Sequence, residues 1–116
     1  MVDEVYMKKW LETDKELEPY YDDFDFIDVG IQTIDPRKII ALSRKYVTIF
    51  NDNSMQKLKA KVLEHGWNDP FPQSLHLVKL PSDVFVVESG GNHRAILANE
   101  MGLTEIMANI TVIRRR

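Results

Sequence analysis

The residues best suited by type and spacing to do chemistry lie together in Glu88-Ser89-Gly90-Gly91-Asn92-His93-Arg94, between an apolar run and an amphipathic one. Two adjacent glycines allow positive φ and let a ligand come close to the backbone. A helix starting just after them presents unpaired N–H groups and the positive end of its dipole. An anion is the natural guest, and Arg94 offers a planar fork of donors to phosphate or carboxylate oxygens. Gly90, Gly91, Asn92, His93 and Arg94 are therefore the candidate phosphate-binding residues. The same spacing also suits a plain tight turn before a helix, with Arg94 solvated. No Gly-Lys-Ser/Thr follows, so the turn is not a Walker A loop, and the third glycine of a dinucleotide fingerprint is missing.

Positioning this turn requires a strand before it and a helix after it. Val84 to Glu88 reads as a strand, and the turn Pro81-Ser82-Asp83 pairs it in a hairpin with a strand over Ser74 to Leu80. The helix is expected to begin at Gly91 or Asn92 and to be capped by Gly102. A last strand follows, with Ile106, Ala108, Ile110 and Val112 on its buried face and Arg114-Arg115-Arg116 as a basic tail.

Upstream, Val2, Val5, Tyr6, Trp10 and Leu11 recur at roughly helical spacing and predict an amphipathic helix that ends at Glu18-Pro19. Tyr20 to Asp28 mixes aromatics with acids and reads as a loop pinned to the core by its rings. Val29 to Ile34 alternates as a short strand. Asp35-Pro36 is a good helix start, so a helix carrying Ile39, Ile40, Tyr46, Val47 and Phe50 is expected up to the break at Asn51-Asp52-Asn53. A further helix carries Met55, Leu58, Val62 and Leu63, shows Lys57, Lys59 and Lys61 to solvent, and stops at Gly66. Asp69-Pro70-Phe71-Pro72 then forces an extended loop. This order predicts one α/β (α+β) fold, a small mixed sheet with packed helices.

The 116 residues leave room for one modest core, and the absence of cysteine excludes disulfides, thiolate metal sites and a cysteine nucleophile. Neither a membrane-spanning run nor a basic leader is present, so a cytoplasmic protein without membrane partners is the expectation. The net charge of −3 hides an asymmetry: residues 1–28 carry ten acids against three lysines, and residues 29–116 eight acids against twelve bases. An acidic front and a basic body suit a solvated surface, a cover over a basic groove, or a site for a basic protein partner. His65 and His76 lack metal-ligand spacing to His93, and no structural metal is expected.

Ser89-Gly90-Gly91-Asn92-His93-Arg94 resembles the FGGCHR signature of sulfiredoxins and stands where ParB N-terminal domains carry their GERR box. The likeness continues through Ala95 and Ala98 to Met101-Gly102-Leu103, and upstream through Asp35-Pro36-Arg37, Gly66 and Pro70. It covers roughly residues 29–113, which sets residues 1–28 apart as an acidic helix-and-loop extension and 29–116 as a ParB/sulfiredoxin-like domain. The resemblance implies a nucleoside triphosphate ligand, ATP or CTP, with magnesium. Its phosphates would lie on Gly90 to Arg94, with Arg37 as a second arm. Sulfiredoxin's cysteine falls on Asn92, so sulfinic-acid reduction is ruled out. The chain stops before any helix-turn-helix, so DNA binding by this segment alone is expected to be weak.

Three functional classes follow. A nucleotide hydrolase or phosphotransferase would use Glu88 as metal ligand or base and His93, with Arg94, to stabilise charge. A non-catalytic regulatory module would keep the phosphate turn and act on a protein or DNA partner. A ParB-like nuclease fits least, because only Glu88 stands near the turn where a two-metal site needs clustered carboxylates.

Overall fold

A computed structural model describes residues 8–68 and 72–116. The architecture is mixed α/β, with a six-stranded sheet. In chain order the elements are β1 (Leu11–Glu12), α1 (Thr13–Leu17), β2 (Phe24–Ile34), β3 (Ile39–Leu42), α2 (Tyr46–Ile49), α3 (Asn53–His65), β4 (His76–Lys79), β5 (Phe85–Val87), α4 (Asn92–Glu100) and β6 (Ile106–Arg115). Across the sheet the order is β1-β3-β5-β4-β6-β2. β1, β3 and β5 run parallel, β4 and β6 run parallel to each other, and β4 with β5 and β6 with β2 pair antiparallel.

The two faces of the sheet are covered unequally. On one, Ile39, Leu42, Phe85, Val87, Leu77 and Ile110 pack against Ile49 of α2, Met55 of α3 and Ala95, Ile96 and Ala98 of α4. On the other, Ala41, Val78 and Val86 pack against Leu17 of α1, with Tyr20 and Phe26 beside them. β5 is interior and buried at all three residues, as a doubly covered strand requires.

The β4–β5 hairpin, α3 with Gly66 at its end, the start of α4 and the last strand lie where the sequence predicts them. Elsewhere the chain departs from expectation. Of the first helix, Val2, Val5 and Tyr6 lie outside the described residues; Leu11 belongs to a strand, and among the described residues the helix spans Thr13–Leu17. The expected aromatic loop is half strand, because β2 begins at Phe24. Its rings alternate with acids at the period of a pleat, a pattern the loop reading passes over. The boundary expected between residues 28 and 29 therefore falls inside β2, and residues 8–28 contribute β1 and the first half of β2 to the same sheet, with α1 packed on it. The helix expected after Asp35-Pro36 is a single 3₁₀ turn, Pro36–Lys38, and Ile39–Leu42 is a buried parallel strand. Four residues beginning with two isoleucines satisfy both periodicities, and the centre of the sheet favours the strand. Arg114 and Arg115 are no tail; they pair with Asp25 and Phe24 in the ladder. Of the proline-rich loop, residues 69–71 lie outside the described residues, and Pro72–Ser74 forms a 3₁₀ turn.

Candidate functional site

The turn after β5 is built by the hairpin. Glu88 N–H donates to His76 O at 2.9 Å and His76 N–H to Gly90 O at 3.2 Å, so the β4–β5 ladder runs on into the glycines. Gly91 caps α4 with φ 99° and ψ 13°. A Cβ on it would stand 2.4 Å from Leu75 Cδ1 and 2.8 Å from Leu75 Cα. Glycine is thus demanded twice, by the left-handed backbone and by a fully buried neighbour. The close approach expected for a ligand is made on this side by the chain's own Leu75.

Asn92, 3% exposed, is a strut. Its Oδ1 accepts from Ser43 N–H at 2.9 Å, and its Nδ2 donates to Ser43 Oγ at 2.9 Å. It fastens the first turn of α4 to the loop leaving β3, which carries Arg44 and Lys45. His93 Nε2 lies 3.0 Å from each oxygen of the Asp52 carboxylate. Asp52 also caps α3 by accepting from Met55 N–H at 2.8 Å. The bond from His93 is the main reason the Asp52 carboxyl sits below the usual carboxylate range; the Met55 N–H and the nearby charges of His93 and Arg44 add to it. Arg94 Nη2 donates to Asn68 O at 2.9 Å, and its guanidinium lies 4.7 Å from the Trp67 ring centroid, which joins α4 to the segment after α3.

Two predicted site residues are not brought to the turn. Arg37 grips its neighbour Asp35 through Nε at 2.9 Å and Nη2 at 2.7 Å, at the amino end of β3. That end adjoins the last turn of α4, where Asn99 Nδ2 donates to Pro36 O at 2.9 Å, whereas the glycine turn is at the first. Glu88 is separated from His93 by the pleat. Phe85 and Val87 face α4, while Val86 faces α1, and Glu88 follows Val86 to open on a cleft with Leu17, Tyr21, Phe26 and Arg116. Glu88 and His93 therefore belong to opposite faces of the sheet.

A second cleft, of about 370 Å³, opens where β1 and β3 end; Lys15, Ser43, Arg44 and Lys45 line it, with Glu12 and Asp14. The chain leaves β1 for α1 on one face and leaves β3 for α2 and α3 on the other. Adjacent parallel strands whose connections part in this way leave a crevice beyond their carboxyl ends, the usual ligand position in open α/β sheets. Thr13, 1% exposed, fixes α1 there by donating to Val87 O at 2.7 Å. Sequence reasoning misses Ser43, Arg44 and Lys45 because the helix expected from Asp35-Pro36 to the break at Asn51-Asp52-Asn53 hides the end of β3, and it reads Asp52 only as part of that break.

Among the described residues no helix is long and apolar enough to cross a membrane, and no group of three or more histidine, aspartate or glutamate side chains is arranged to hold a metal ion. No family model, no curated protein and no solved structure matches the chain.

Proposed function

We propose that this domain binds a phosphorylated small ligand of the nucleoside triphosphate class at the carboxyl edge of β1, β3 and β5, as a binding module. The observation that carries the reading is the crevice between β1 and β3, edged by Arg44 and Lys45 and tied through Ser43 and Asn92 to the first turn of α4. Arg44 and Lys45 supply the cations, since Lys15 is paired with Glu12 at 2.9 Å, and the first turn of α4, fastened to Ser43 through Asn92, supplies fixed N–H donors beside the cleft. The resemblance of Ser89–Arg94 to the ParB and sulfiredoxin turn supports a triphosphate as the ligand, with magnesium carried on its phosphates. Binding is favoured over turnover because Glu88 and His93, the pair a hydrolase or phosphotransferase would use here, stand on opposite faces. A regulatory role fits such a module, with occupancy read through the Asn92–Ser43 and His93–Asp52 links between α4, the loop after β3 and α3.

Titration calorimetry over ATP, CTP, GTP and UTP with magnesium tests this. At least one should bind, and Arg44→Ala with Lys45→Ala should weaken it by about tenfold for each charge-assisted hydrogen bond to phosphate that the substitution removes. Heat from none of the four, or equal affinity in the double variant, would remove the reading.

A further inference from the structure

The sheet face opposite α4 carries a cleft of about 480 Å³, floored by Leu17 and walled by Tyr21, Phe26, Asp25, Arg116 and Glu88. Its aromatic side is ordered: Tyr21 stacks on Phe26 with centroids 6.0 Å apart, and Tyr20 meets Phe24 edge-on at 5.2 Å. Tyr21 remains 51% exposed. The acidic side comes from the segment with the strongest negative charge in the chain, residues 1–28, and from Glu88 across the cleft.

The chain's own arginines show what this wall accepts. The Arg116 Nε donates to Asp25 Oδ1 at 2.9 Å and its Nη1 to Asp22 O at 3.2 Å, while the Arg115 guanidinium lies over Phe24, 5.3 Å from the ring centroid. Carboxylate, carbonyl and aromatic face are the three partners a guanidinium uses best. Glu88 lines the same cleft, is exposed, and makes no ion pair or side-chain hydrogen bond among the described residues. The Asp25 carboxylate and the Asp22 carbonyl are engaged by Arg116, and of the carboxylates lining the cleft this leaves Glu88, with the open face of Tyr21, for an incoming cation.

We infer that this cleft is a docking site for an arginine side chain of an extended basic segment on a protein partner, held between the Glu88 carboxylate and the Tyr21–Phe26 stack. The site is separate from the phosphate crevice and does not depend on it. A neutral apolar partner would leave the Glu88 carboxylate desolvated and unpaired, and an acidic one would meet like charge at Glu88, while Asp25 on the opposite side is already neutralised by Arg116.

The test is a titration of the ¹⁵N-labelled protein with acetyl-Gly-Arg-Arg-Gly-amide, its citrulline counterpart serving as an uncharged isostere. The arginine peptide should shift the amides of Tyr21, Phe26 and Glu88, the citrulline peptide should not, and Glu88→Gln and Tyr21→Ala should each weaken binding about fivefold, the scale of one exposed ion pair or one cation–π contact. Both substitutions fall at exposed positions, and each variant's spectrum reports its folding directly. Equal shifts by the citrulline peptide, shifts confined to acidic residues away from the cleft, no shifts at all, or unchanged affinity in folded Glu88→Gln would each overturn the assignment.

Discussion

Replacing Gly91 by alanine tests the turn at its most constrained atom. With φ at 99°, an L-residue incurs a strain of about 1–2 kcal/mol. The new methyl would also stand 2.4 Å from Leu75 Cδ1 and 2.8 Å from Leu75 Cα. The second contact is with backbone and cannot be relieved by a rotamer change, so overpacking adds about 1–3 kcal/mol. Together about 2–5 kcal/mol is lost, a large share of the about 5–15 kcal/mol that holds a domain folded. Urea unfolding followed by circular dichroism reads this directly, and the melting temperature should fall by about 10–20 °C. Leu75→Ala separates the two causes. Alone it costs about 2–5 kcal/mol as a cavity, but it also removes the side-chain clash, so the double variant should be more stable than additivity predicts by about 1 kcal/mol or more. A Gly91→Ala protein melting within about 2 °C of the parent would refute the argument that backbone and packing both demand glycine.

Other expectations follow from the same contacts. Asn92→Ala removes both bonds to the exposed Ser43, from its N–H and to its Oγ, and at about 0.5–1.5 kcal/mol each should cost about 1–3 kcal/mol in urea unfolding, with the loss of amide protection centred on Ser43. Half-burial lowers the Lys8 pKa to about 8 against the pull of Asp35, so the folded state binds its proton less tightly than the unfolded one. Stability should therefore rise with pH between about 8 and 10.4, and Lys8→Met should remove that slope in guanidinium melts. Asp52 shifts the other way: its ionised form is stabilised by His93 and the Met55 N–H, so its contribution is present above the ordinary carboxylate range and is lost as acid takes pH through the lowered value. Asp52→Asn keeps the cap and should remove that acid dependence from amide exchange at the start of α3.

Legibility in the sequence follows the range of the interactions. The β4–β5 hairpin, α3 and the α4 start are specified locally, by Pro81-Ser82-Asp83, by an N-cap with Gly66, and by the glycine pair, and they lie where the sequence puts them. β3 is not legible, because four residues around Ile39 and Ile40 carry too little periodicity to separate strand from helix, and the sheet centre makes the choice. Asn92 reads as a ligand-facing side chain, yet its partner is Ser43, 49 residues away. The alternation separating Val87 from Glu88 can be read in the sequence, but the face that receives α4 is a tertiary fact. Sequence reasoning for that reason puts Glu88 near the turn by spacing alone and assigns it no face of the sheet.

The central claim is a ligand crevice at the carboxyl edge of β1, β3 and β5, and an amide chemical-shift titration with inorganic triphosphate and magnesium tests it most directly. The account predicts saturable shifts at Ser43, Arg44, Lys45, Asn92 and His93, weakening with added salt. Shifts absent from these residues, or spread over lysines remote from them such as Lys57, Lys61 and Lys79, would contradict it.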